Sequence, residues 1–208
     1  RVGGRTLTDA EGAADGGVDL GAAWMWPGNN PSVADLAREL AVETIPEGDG
    51  GVRFRGGSQA LSLRIAERLQ LDDRVELRLG SVVESVRLAD DRVLVGYLGA
   101  GEQRDLRADV AMVALPPRLA AESVAFEPAL EDELAQVMRG TRTWMAQQAK
   151  FVAEYPDAFW KEQLGDHTTL YWSRLRSSGP LDMVFENGST LWGFLSNEAR
   201  WRSLPEAQ

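Results

Sequence analysis

The 208 residues contain no cysteine, a single histidine (His167) and only two lysines, Lys150 and Lys161. Without cysteine there can be no disulfide, no thiolate metal site and no thioether link from this stretch to a prosthetic group. One histidine, flanked by Asp166 and Thr168, offers no second imidazole to share a metal. No apolar run approaches the roughly 20 residues of a membrane-spanning helix, and the start of the chain has no signal-peptide pattern. A cytoplasmic protein with no membrane partner is therefore expected. The formal net charge of −10 would repel a phosphate backbone, so nucleic acid is not expected as a partner. It mildly favours a cationic small molecule. The acidic pairs Asp72-Asp73 and Asp90-Asp91 fall in turn signals and read as solvated, not as acid–base pairs, and no Ser/His/Asp arrangement stands out.

What the chain does have is glycine in telling places. In Arg1-Val2-Gly3-Gly4-Arg5-Thr6 two adjacent glycines let the backbone turn tightly and approach a bulky ligand. The flanking arginines carry planar forks of N–H donors suited to phosphate oxygens. Val18-Asp19-Leu20-Gly21-Ala22-Ala23-Trp24 repeats the idea, with small residues that end on an indole.

The rest of the chain alternates helical and strand patterns. Asn30-Pro31-Ser32 predicts a helix start, followed by an apolar stripe of Val33, Leu36, Ala37 and Leu40. Residues 45–51 read as a loop. Gly56-Gly57-Ser58 leads into a second helix bearing Leu61, Ile65 and Leu69, with Ser58 as N-cap. Period-two runs then predict strands around Val75–Leu79, Val82–Leu88 and Val93–Tyr97. The continuous run Val110–Leu115 predicts a strand buried on both faces, closed by Pro116-Pro117, where a domain crossing is expected. A third helix carries Leu130, Leu134, Val137 and Met138. Strands are expected over residues 147–154, 182–186 and 190–195, the last two joined by Asn187-Gly188, and a final helix from Ser196.

Several of these blocks together resemble the flavin-containing amine oxidases, the family of the monoamine and polyamine oxidases. The resemblance rests on Arg1–Thr6, Val18–Trp24, Phe54–Leu61, Ala108–Pro117, Phe126-Glu127-Pro128, Ala149-Lys150-Phe151 and Phe159-Trp160, which occur in family order. It implies an α/β chain: a Rossmann-like, three-layer FAD-binding domain over residues 1–117, then a sheet-based α+β substrate domain over 118–208. It also implies that the family's G-x-G-x-x-G turn lies upstream of Arg1 and its C-terminal flavin motif beyond Gln208, so that the 208 residues are the middle of a longer protein. The short loop over 45–52, where larger members carry a helical insertion, is similar to short bacterial forms.

The implied activity, assigned to the parent protein, is FAD-dependent oxidation of an amine to an imine, with O2 reoxidising a non-covalently held flavin and H2O2 released. Lacking the phosphate-binding turn, the 208 residues alone are expected to hold FAD poorly. By the resemblance, Arg1, Val2, Gly3, Gly4 and Arg5 lie along the FAD diphosphate, and Gly21, Ala22, Ala23 and Trp24 along the ring system. Val83 meets the adenine through its backbone; on its pattern alone it is an ordinary strand valine. Lys150 has two readings. Strand alternation makes it a solvated lysine, whereas the resemblance makes it the catalytic lysine that holds a water against the flavin N5. Trp24, Trp144, Trp160 and Trp172 are candidates for an aromatic cage around a cationic amine. Two alternatives remain: a related flavoprotein that desaturates carotenoid-like substrates or oxidises porphyrinogens, and a flavin-free fragment or interaction domain that keeps only the scaffold.

Overall fold

The computed structural model describes residues 1–9, 17–47, 50–164 and 180–195. In chain order its elements are β1 (Thr8–Asp9), β2 (Val18–Asp19), β3 (Trp24–Met25), α1 (Pro31–Glu39), β4 (Thr44–Pro46), β5 (Val52–Phe54) and α2 (Gln59–Gln70). Then come β6 (Ser81–Ala89), β7 (Arg92–Gly99), β8 (Glu102–Ala108), α3 (Pro117–Ser123), β9 (Ala125–Glu127) and α4 (Asp132–Gly140). The last are β10 (Lys150–Glu154), α5 (Trp160–Leu164), β11 (Leu181–Asn187) and β12 (Thr190–Leu195). The chain is a mixed α/β protein with several small sheets. It forms two compact units, one from the described residues of Arg1–Leu77 and Gln147–Gln208, the other from Arg78–Ala146. The division expected at residue 117 concerns which ligand each part serves, and it is taken up below. No helix among the described residues is long and apolar enough to cross a membrane.

The first unit contains three antiparallel sheets, ordered β1-β2, β3-β5-β4 and β10-β12-β11. Pro31 opens α1, where its missing N–H costs nothing. Ala37 of that helix is buried with Met25, Val42 and Phe54, while Leu40 and Leu61 pack against them. The expected stripes are only partly inside, since Val33 and Leu69 are more than a third exposed. Ile45 and Pro46, expected in the loop 45–51, belong instead to the edge strand β4, with Pro46 opposite Val52. An edge position tolerates proline because no N–H is needed on the outer side. A second core gathers Val18, Ala23, Phe185 and Trp192. The expected β11–β12 hairpin forms, with Asn187 paired to Thr190 and Gly188 at φ 61 in the turn.

In the second unit the strand order is β8-β7-β6-β9, and β9 runs parallel to β6. The β6–β7 hairpin follows the expected period of two, with a register shift between Val83 and Ser85. Strand β8 has no apolar alternation to announce it. It forms because Ala100 and Gly101 both take positive φ (53° and 80°), the geometry that closes a tight two-residue hairpin. Its charged side chains suit an edge.

Two expectations fail in this part of the chain. Residues 75–79 form no strand, and neither does Val110–Leu115, where Val110 is 78% and Met112 92% exposed. An apolar run becomes a doubly buried strand only when neighbours offer ladder partners on both edges, and no described strand pairs with it. Pro117 begins α3, where its missing N–H costs nothing. In α4 the buried residue is Ala135, while Leu134 and Val137 are about half exposed, so the helix is rotated from its apolar stripe. The final helix expected from Ser196 lies outside the described residues.

Glycine positions give a direct check of this packing. A Cβ at Gly193 would overlap the Met183 carbonyl oxygen and touch the Phe151 ring, whereas one at Gly140 would meet nothing within 4 Å. Gly193→Ala should lower stability by about 1–3 kcal/mol through overpacking. Gly140→Ala, at a helix end, should be neutral or stabilising by up to about 1 kcal/mol. Denaturant unfolding of the two variants checks both; equal midpoints would contradict the β11–β12 packing.

Candidate functional site

The first unit brings the glycine strip and Lys150 together. Strip residues 20–22 run beside residues 5–7: Leu20 N donates to Leu7 O (2.9 Å), Gly21 N to Leu7 O (3.1 Å) and Ala22 N to Arg5 O (3.0 Å). A Cβ at Gly21 would overlap the Arg5 carbonyl, so glycine is needed there for close backbone packing within the chain itself. Gly3 and Gly4 take φ of 102° and 51°, and Thr6 N returns to Gly3 O at 2.8 Å to close the turn. Arg1 is exposed and donates to Gly4 O at 2.6 Å. Arg5 is also exposed.

The helix α2 anchors this strip through its first residues. Gln59 bridges the two segments, donating from Nε2 to Val2 O (3.0 Å) and accepting Thr8 N on Oε1 (3.0 Å). Ser58 occupies the N-cap position, but its side chain makes no cap bond. The capping partner is Asp19, whose Oδ1 accepts Ser58 N at 2.8 Å, Ser58 Oγ at 3.0 Å and Thr8 Oγ1 at 2.7 Å. A carboxylate suits the positive end of a helix. Ser58, 4% exposed, also places its hydroxyl 2.5 Å from Ala22 O. A hydroxyl has one proton, so Asp19 and Ala22 share it.

Lys150 opens β10, opposite Phe194 of β12. The solvated lysine expected from alternation is not found. Its Nζ donates to Asp19 O at 2.7 Å and to Gly21 O at 2.5 Å, and lies 4.9 Å from the Trp192 ring centroid and 5.8 Å from that of Phe194. Alternation tells which side of a strand a residue takes; here that side is occupied by the glycine strip. Burial pushes the Lys150 ammonium down to about 8, against the attraction of Asp19, which raises it.

Other expected residues are distributed differently. Trp24 packs in a ring cluster, edge-on to Phe185 (5.0 Å) and tilted against Trp192 (5.1 Å). Trp160 is buried and donates to Glu186 Oε2 at 2.6 Å, and Tyr155 and Phe159 pack on it edge to face. Trp144 is 78% exposed in the second unit. These three tryptophans therefore do not share one environment, and Trp172 and His167 lie outside the described residues. Val83 is in β6 of the second unit, beside the register shift. Reading the sequence did not single out Asp19, Thr8, Gln59, Trp192 or Phe194 for any role. Asp19 sat inside a quoted block, but nothing local marks a carboxylate that caps a helix some 40 residues away.

The donor set fits a flavin. A Cβ at Gly4 would meet nothing within 4 Å, so that backbone is open to a diphosphate, with two guanidinium groups in the same turn. Among the described residues, two carbonyls accept from the Lys150 ammonium, which carries three N–H donors. The hollow lined by Gly17, Val18, Asp19, Ala23, Arg53 and Trp192 measures about 10 Å³, room for about one water. That hollow is too small for a ring system. An open hollow of about 480 Å³ elsewhere is lined by Arg68, Leu71, Asp72, Asp73 and Arg74, none of them in this arrangement. No group of acidic or histidine ligands fit to hold a metal occurs among the described residues.

The family model for flavin-containing amine oxidoreductases matches residues 45–195. No curated protein matches.

The lowered Lys150 value sets a pH dependence. Below about pH 8 the lysine is protonated folded and unfolded alike, and the native state bears the full cost of a buried cation. Between about 8 and the ordinary 10.5 the native state gives up its proton while the unfolded chain keeps it, so stability rises with pH. Wild type should therefore gain melting temperature relative to Lys150→Met across that window and hold the gain above it. Parallel curves for the two proteins would contradict the burial.

Proposed function

The chain belongs to the flavin-containing amine oxidoreductases, and from that premise we propose that it oxidises an amine to an imine, using non-covalently held FAD and releasing H2O2. Membership of this family implies a flavin cofactor and oxidoreductase chemistry. The observation that carries the finer reading is the Lys150 ammonium, held 2.5 Å from the carbonyl oxygen of Gly21 in the small-residue strip.

Each part of the chain then has a task. Arg1, Val2, Gly3, Gly4 and Arg5 bind the diphosphate through guanidinium charge and open glycine backbone. Gly21, Ala22, Ala23 and Trp24 support the flat ring system, and Val83 meets the adenine through its backbone. Residues 1–117 form a Rossmann-like cofactor part and 118–208 the substrate part. On this reading the protein works in the cytoplasm, with an amine and O2 as its small-molecule partners.

A flavin held by these residues would supply the two-electron chemistry, as acceptor of the hydride (which carries both electrons) from the amine Cα and as the source of the two electrons that, with two protons, turn O2 into H2O2. Lys150 contributes a fixed positive charge where negative charge develops, with no need to reorganise because two carbonyls already hold it. It positions a water or ligand atom and need not act as a base. Trp192 and Phe194 cover the ammonium and limit its exposure to bulk water.

Purified full-length parent protein should show the flavin absorbance bands and produce peroxide with members of an amine panel. Lys150→Met should slow reoxidation by O2 by about tenfold or more, and the wild-type rate should fall as pH rises through about 8, where the ammonium loses its proton. Colourless protein without peroxide production would defeat the proposal. Normal flavin with an unchanged reoxidation rate would point to a related flavoprotein that desaturates its substrate or oxidises porphyrinogens.

A further inference from the structure

We propose that Asp19 is a positioning residue for Lys150: its carboxylate ties β1 to the start of α2, and its own backbone carbonyl holds the lysine ammonium. The functional weight of this contact rests on the flavin reading given above; the coupling between the two residues does not.

The geometry is compact. Oδ1 of Asp19 accepts from Thr8 Oγ1, Ser58 N and Ser58 Oγ at 2.7, 2.8 and 3.0 Å, so the carboxylate is held at several points. Three donors on one oxygen favour the ionised form and fix its direction. The backbone oxygen of the same residue accepts Lys150 Nζ at 2.7 Å. Ser58, gripped by the carboxylate, also reaches Ala22 O, next to the Gly21 carbonyl that takes the second Lys150 hydrogen. The ammonium thus stands on a segment whose placement depends on Asp19 at both ends.

Among the described residues, the charges around Lys150 are few. Strand β12, its pairing partner, contributes no ionisable side chain. On β11, Glu186 is engaged by Trp160 and lies 3.9 Å from Lys161, at the far end from Lys150, while Asp182 lies at the Lys150 end, at the register shift beside Met183, which is paired to Phe194. Arg53 lines the small hollow with Asp19 but is ion-paired to Glu47. Glu154 is exposed at the far end of β10. Asp19 is the charge that opposes the cost of burying the ammonium.

The test uses the two-lysine composition. In the full chain as purified, with flavin content read from absorbance, lysine labelled with 13C at Cε gives signals for Lys150 and Lys161 only. In Asp19→Asn the Lys150 titration midpoint should fall below the wild-type value of about 8, while that of Lys161 stays put. Asp19→Glu, which restores the charge, should bring the midpoint part of the way back, which a purely structural role would not require. Should Asp19→Asn fail to fold, Thr8→Val decides. It keeps the carboxylate and removes one donor that orients it, and should lower the Lys150 midpoint by less. An unchanged Lys150 midpoint in folded Asp19→Asn, or in Thr8→Val where the Asn variant does not fold, overturns the proposal. Colourless full-length parent protein, with the expected shift, would overturn the flavin reading and leave this coupling standing.

Discussion

The contact of the Lys150 ammonium with the carbonyls of Asp19 and Gly21 joins segments some 130 residues apart in the chain. Burying a cation is costly, and the cost is visible in its lowered proton affinity. Two carbonyl oxygens, the faces of Trp192 and Phe194 and the nearby Asp19 charge offset part of it. Because the partners are backbone carbonyls, the lysine reads the path of the strip itself and not a side chain free to move. The strip and β10 are therefore registered against each other by one charged group.

The strip is in turn held by the start of α2. Asp19, Ser58, Thr8 and Gln59 share a set of hydrogen bonds in which each side chain serves a backbone group of another segment. This gives the glycines an internal reason to be there. Gly21 lies against the Arg5 carbonyl, and a Cβ on Gly57, at φ 81°, would strike Thr8. Gly4 is different, because nothing in the chain fills the space beside it. It lies in the same turn as Arg1 and Arg5, at φ 51°.

Much of the local structure was legible in the residues. Asn30-Pro31 marks the start of α1, the period of two marks β6 and β7, and Asn187-Gly188 marks the last hairpin, because turns and caps are chosen by a few neighbouring residues. The errors share a physical origin. Val110–Leu115 has the composition of a core strand yet stands exposed, since strand formation needs ladder partners that composition does not specify. Strand β8 is charged and still pairs, since the Ala100-Gly101 turn returns the chain onto β7. Pro46 sits in a strand because that strand is an edge.

For the site the division is the same. By itself the sequence determined the family, the glycine turns and the side of β10 on which Lys150 stands, because each depends on residue identity and short-range spacing. Only the tertiary structure decided that this side faces Gly21, that Asp19 caps α2, and that Trp24 and Trp160 belong to separate clusters. Those facts depend on which distant segments meet. Alternation along a strand fixes a direction, and the fold alone supplies what lies there.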